Sequence, residues 1–204
     1  MARPKATTNR AERIITAAKE LFARYGYERT SIDDIAKHLD IGKGSIYLDF
    51  RTKEEILFSV CETFAREISA ILEEKSNDTS KPAMLTLREM LQQEVTMVHE
   101  KVTRDLHTPE ALLHTSATMK SRFGEFHLRK RTIILKLLIR AAALGEIAQD
   151  KATEDVALAI MMATACLYPP YLNNYSENDS GFEREQLFSR AKILIDLLLS
   201  GLQR

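Results

Sequence analysis

The chain has 204 residues, 45% hydrophobic and 28% charged, and its 29 Lys/Arg are matched by 29 Asp/Glu. A formal net charge of zero speaks against a polyanion binder acting through bulk charge alone. Seven Gly and five Pro are too few for a turn-rich β architecture and favour long helices.

The charge is unevenly placed. Residues 1–60 hold 11 Lys/Arg against 9 Asp/Glu, and Arg3, Lys5 and Arg10 precede the first acid, Glu12. A short basic stretch ahead of a folded segment is suited to phosphate contacts. Helical periodicity follows at once, with Ile14, Ala18, Leu21 and Tyr25 on one face and Ile15 and Phe22 widening it. Gly26 ends this helix, where a left-handed residue caps well. Thr30-Ser31-Ile32-Asp33 opens a second helix, read as a hydroxyl cap with an acid three residues on. Its buried stripe is Ile32, Ile35, Ala36 and Leu39. A tight turn leads to a short third helix over about 43–50. Thr52-Lys53-Glu54-Glu55 then starts a long fourth helix through Ile56, Leu57, Val60, Phe64, Ile68, Ile71 and Leu72.

Ser76 to Pro82 reads as a loop. Further amphipathic helices are expected near 82–103, 108–119, 121–144, 153–173 and 181–203, the last opened by Ser180-Gly181-Phe182-Glu183. No strand pattern competes, so the predicted fold is all-α. Cys61 and Cys166 lack any paired spacing and read as buried free thiols in a reducing compartment. The first twenty residues contain no apolar leader core, and the most apolar segment, 156–168, is too short to span a bilayer. A cytoplasmic protein with no membrane partner is expected.

The spacing within 31–50 is that of a helix-turn-helix. Ala36 is small where two helices approach closely. Asp40, four residues on, sits where the turn needs positive φ, which Asp tolerates. Ile46, ten residues after Ala36, plugs the core beneath the next helix.

The run from Thr30 to Leu57, TSIDDIAKHLDIGKGSIYLDFRTKEEIL, closely resembles the TetR family of regulators through Thr30, Ile35, Ala36, Ile41, Gly44, Tyr47, Phe50, Lys53 and Leu57. The preceding Ala17-Ala18, Leu21-Phe22 and Gly26-Tyr27 match that family's first helix. The resemblance covers about the first sixty residues. It implies an N-terminal three-helix DNA-binding domain, 8–60, and a C-terminal helical domain, 61–204, that binds an effector and dimerises.

Position by position, the resemblance assigns DNA contacts. Thr30 would offer its hydroxyl and the first-turn amides of its helix to a phosphate. Lys43 would meet a guanine edge or a phosphate, Ser45 a base or a phosphate, and the Tyr47 hydroxyl a phosphate. Gly44 would let the backbone approach, and Lys53 would clamp a phosphate. Arg3, Lys5 and Arg10 would form an arm along the backbone or minor groove. Three departures stand out: Asp40 replaces the usual turn Gly, Gly42 a Ser, and Asp49 a position often held by His, where an acid repels phosphate.

In the remainder, Leu187, Ala191, Leu194 and Leu198, widened by Ile195, Leu199 and Leu202, form an apolar stripe on the last helix. With Ala157, Ile160, Met161, Ala163, Thr164 and Leu167 on the helix before, the resemblance implies a homodimer through the last two helices, facing a pseudo-palindromic DNA duplex. Phe64, His99, His107, His114, Phe123, Phe126 and Met161 are candidates to line an effector pocket. The histidines lack metal-ligand spacing, so no metal and no cofactor is expected. No nucleophile elbow, phosphate loop or other catalytic motif is present, and no catalytic residue is assigned. Two readings remain: a repressor released by an unknown small-molecule effector, and an architectural or cell-cycle DNA binder of the same family without one.

Overall fold

The computed structural model describes residues 5–101, 122–168 and 184–203. The fold is all-α. Its eight described helices are α1 Lys5–Tyr25, α2 Ile32–His38, α3 Lys43–Tyr47, α4 Lys53–Asn77, α5 Ala83–Glu100, α6 Gly124–Ala143, α7 Glu154–Thr164 and α8 Arg184–Ser200. Single 3-10 turns occupy Gln149–Lys151 and Ala165–Leu167. The helix expected near 108–119 and the cap expected at Ser180–Glu183 lie outside the described residues.

The chain divides into two compact units. Described residues of the first run to Ala65 and include 100–101; those of the second are 66–99, 122–168 and 184–203.

The first unit is built on α1, whose Ile14, Ala17, Ala18, Leu21 and Phe22 are buried at helical spacing. Tyr25, expected on that face, is the last helical residue and is half exposed, with the Arg24 guanidinium over its ring. Gly26 takes φ +84° and its amide donates to the Phe22 carbonyl, ending the helix as read from sequence. Ile35 and Ala36 of α2, Ile46 of α3, Phe50 beyond it, and Ile56, Leu57, Val60 and Phe64 of α4 complete this core.

Two caps differ from the sequence reading by one residue. The N-cap of α2 is Ser31, paired reciprocally with Asp34, rather than Thr30 with Asp33. At α4 the Thr52 hydroxyl accepts from the Glu55 amide, but the Glu55 carboxylate accepts from Arg51 N, one residue before the cap.

The second unit has its own apolar core. Leu87, Met90, Leu91 and Val95 of α5 meet Ile134, Leu137, Leu138 and Ala141 of α6, Ala157 and Ile160 of α7, and Leu187, Ala191, Ile195 and Leu199 of α8. Glu146 caps α5 from 63 and 62 residues away, its two carboxylate oxygens accepting from the Ala83 and Met84 amides at 2.8 Å each. The Arg140 guanidinium donates to the Ser76 and Asp78 carbonyls and the Thr86 hydroxyl. Lys130 meets Glu94 at 2.7 Å, and the Tyr168 hydroxyl donates to the same carboxylate at 2.9 Å. Burial, then the Glu94 charge, holds the Tyr168 hydroxyl well above the ordinary tyrosine range. Ile147 and Gln203 form an isolated antiparallel bridge.

Candidate nucleic-acid interface

The geometry begins at the turn between α2 and α3. Asp40 has φ +53°, the one described non-glycine residue with positive φ. Its amide donates to the Lys37 carbonyl, and the Ile41 amide to the Ala36 carbonyl. This pair of bonds is a Schellman closure with Asp40 at the left-handed position, where an aspartate costs less than most residues. The closure reverses the chain, and the fully buried Ile46 then fixes the rotation of α3.

That rotation decides what α3 shows outward. Lys43 and Gly44 are exposed, Tyr47 is 46% exposed and Ser45 is half-buried. A Cβ placed on Gly44 would meet nothing within 4 Å, so the helix surface there is open to a close approach. Gly42 caps α3 without a side-chain bond, consistent with the missing serine hydroxyl. The Lys43 ammonium rests on Asp33 at 2.8 Å in an exposed pair, which a phosphate can exchange.

Thr30 is placed differently from expectation. It is 2% exposed, and its hydroxyl donates inward to the Gly26 carbonyl at 2.8 Å. Thr30 locks the α1–α2 turn, and Ser31 holds the surface position.

Lys53 is half-buried at the start of α4. Its ammonium donates to the Tyr27 carbonyl at 2.8 Å and lies 4.1 Å from the Tyr27 ring centroid. An ammonium has three N–H donors, so a phosphate oxygen can be met with the Tyr27 bond intact. Burial, then the charges of Glu54 and Glu28, pushes the Tyr27 hydroxyl up to about 12. The ring supporting the ammonium therefore stays neutral at physiological pH.

Arg10 belongs to α1 and is not part of a free arm. Its guanidinium grips the Asp49 carboxylate, Nε to Oδ2 at 2.5 Å and Nη2 to Oδ1 at 3.1 Å. Asp49 does not stand as a bare acid facing the solvent, since Arg10 neutralises it and its side chain is only 7% exposed. Lys5 begins α1, and Arg3 lies outside the described residues.

The described pocket candidates are divided between the two units. Phe64 is buried in the first unit, with the Lys19 and Lys101 ammonium groups 4.9 and 4.8 Å from its ring centroid. His99, Phe123, Phe126 and Met161 belong to the second unit. There buried His99 meets Phe188 edge-on, centroids 5.6 Å apart, and Phe123 and Phe126 form a tilted pair at 5.6 Å. Met161 is half-buried against the second core. His107 and His114 lie outside the described residues. Cys61 is a buried free thiol, pushed up to about 12 by burial, and Cys166 is free and half-buried. Among the described residues no helix is long and apolar enough to cross a membrane.

Residues 14–60, the stretch that forms this surface, match the family model described as bacterial regulatory proteins, tetR family. Over that stretch the chain is similar to the TetR family. The HTH-type transcriptional regulator YhgD of Bacillus subtilis (strain 168) is 32% identical over 76 residues, 37% of this chain and 38% of that protein. The matched stretch thus spans well under half of that relative. The fatty acid metabolism regulator protein of the same organism is 26% identical over 193 residues, 93% of each chain. The crystal structure of a TetR-family transcriptional regulator from Pectobacterium atrosepticum shares the fold, with a TM-score of 0.72, 17% identity and 98% of both chains covered. The helix-turn-helix of α2 and α3 lies within the matched residues 14–60.

Proposed function

We propose that the chain represses transcription as a homodimer bound to a pseudo-palindromic operator and leaves it when a small-molecule effector binds. Residues 8–60 bind DNA, and residues 61–204 hold the effector and the dimer contact. The observation that carries this reading is the outward face of α3, where Lys43, Gly44 and Tyr47 stand exposed on a helix whose opposite side is anchored by Ile46.

Each residue has a role in the reading. Lys43 and Ser45 meet base edges or phosphates, and Tyr47 and Lys53 meet phosphates. Gly44 admits the duplex backbone closely, and Arg3 and Lys5 supply charge along the flanking strand, while Arg10 is held by Asp49. Thr30 acts through the turn it locks.

In this reading the dimer contact is made by the exposed apolar side chains of the last two helices. Leu187, Ala191, Ile195 and Leu199 are spent on the second unit's own core. Ile193 and Leu197 of α8, 58% and 69% exposed, and Leu158 and Met162 of α7 are the apolar side chains left for a second copy. The fatty acid regulator, aligned over 93% of this chain, supports an acyl-chain metabolite among the effectors to try first.

Selection of bound fragments from the host genome, followed by a compound screen for their release, tests the reading. Recovery of a dyad-symmetric sequence and a compound that lowers its affinity are expected. Failure to retain any duplex at low ionic strength would overturn it.

A further inference from the structure

Leu48 follows α3 directly and is 74% exposed, the most exposed of the large apolar side chains described. At 100° per residue it lies two positions, about 200°, from the fully buried Ile46. It therefore points almost directly away from the core, one turn beyond Gly44 on the same face. Gly44 contributes no side chain and has open space above it. The centre of the outward surface is thus a bare backbone followed by one leucine, flanked by Lys43 and Tyr47.

The two neighbouring types of side chain suit phosphates and the polar edges of bases. A leucine suits neither, since it can donate and accept nothing. In the major groove the 5-methyl of thymine is the one apolar group presented by a base edge. We infer that Leu48 is a specificity-determining residue that packs on a thymine methyl in each half-site. The inference rests on α3 being the element that enters the groove, and adds to that reading a base identity and the atom recognised. Contact of the leucine with one methyl removes water from both, and no hydrogen bond is lost by either.

The test uses the full-length protein and duplexes selected by it from a random pool. Each thymine is replaced singly by uracil, which removes the methyl and keeps the pairing. Wild-type protein is expected to lose about fourfold in affinity at one thymine per half-site, and roughly fifteenfold when both half-sites are changed. Leu48→Ala should bind the thymine duplex weaker by a similar factor and be indifferent to the same replacement, whereas Leu48→Met should keep the thymine preference. Leu48 is outside both cores, so unchanged melting of the variants is expected and is measured alongside. Wild-type indifference to every uracil, or an L48A variant with undiminished thymine dependence, overturns the inference while leaving DNA binding intact. Failure to select any duplex overturns the inference and the DNA-binding reading together.

Discussion

Arg10 and Asp49 are 39 residues apart in sequence and share a two-point ion pair, with Asp49 almost wholly shielded. The pair joins α1 to the segment just after α3 and occupies a cation that a phosphate would otherwise attract. Asp49→Asn keeps the shape and removes the competing charge. The expected outcome is tighter binding to every duplex and a steeper salt dependence, by about one unit in log K against log salt. Anisotropy titrations at several salt concentrations measure both. Weaker binding by D49N at all salts would make the pair a structural clamp only.

Lys53 gives the complementary case. Its ammonium is already held in place by the Tyr27 carbonyl and ring, so little side-chain freedom remains to be lost on meeting a phosphate. Lys53→Ala is expected to weaken binding to all sequences alike and to flatten the salt slope by about one unit. A change in base preference with an unchanged slope would contradict that role.

Asp40 occupies a left-handed backbone position at φ +53°. Asp40→Gly or Asp40→Asn should change stability by less than about 1 kcal/mol, whereas Asp40→Val should cost roughly 1–2 kcal/mol, because a β-branched residue is strained there. Urea denaturation of the three variants decides the order.

These positions also show what could be read without coordinates. Gly26, Ala36, Asp40 and Ile46 were legible because their roles follow from local backbone chemistry. The cap of α2 was ambiguous, since Thr30 with Asp33 and Ser31 with Asp34 both satisfy the pattern. Packing decided it, because Thr30 is drawn inward to the Gly26 carbonyl. The partners of Arg10 and Lys53 arise from contacts across 39 and 26 residues, which carry no local signature. The exposure of Leu48 has no such signature, since an apolar residue two positions from Ile46 is compatible with a core role until the backbone between them is known to be helical. With Leu48 as the right-handed C-cap of α3, the two point to opposite sides.

Glu94 did carry a signal. It falls on the apolar stripe of α5 with Leu87, Met90, Leu91 and Val95, where an acid requires a partner. That partner is Lys130, and both side chains are 12% exposed. Glu94→Leu should cost about 3–5 kcal/mol by leaving the ammonium nearly buried and unpaired, and Glu94→Leu/Lys130→Met should recover most of it. Equal loss in the single and double variants would show that the pair is not coupled.

Cys61 sets an alkaline limit. Burial raises its folded value to about 12 from an ordinary value near 9, so the folded state retains its proton longer than the unfolded chain does. The associated stability is fully present below about pH 9 and falls as pH rises from there towards 12. The slope is at most about 1.4 kcal/mol per pH unit for this one group. Cys61→Ala, followed by denaturation between pH 8 and 11, should lessen that slope. An identical slope in the variant would assign the alkaline loss elsewhere.

In the proposed complex two copies of the α3 surface read one duplex. Sedimentation equilibrium with a selected duplex tests it most directly, comparing wild type with Lys43→Ala/Tyr47→Ala/Leu48→Ala. Two wild-type protomers per duplex are expected, with half-sites about one helical turn or a multiple apart, and no specific complex with the triple variant. A wild-type monomer on the duplex, or a triple variant that binds it as tightly as wild type, would contradict the claim.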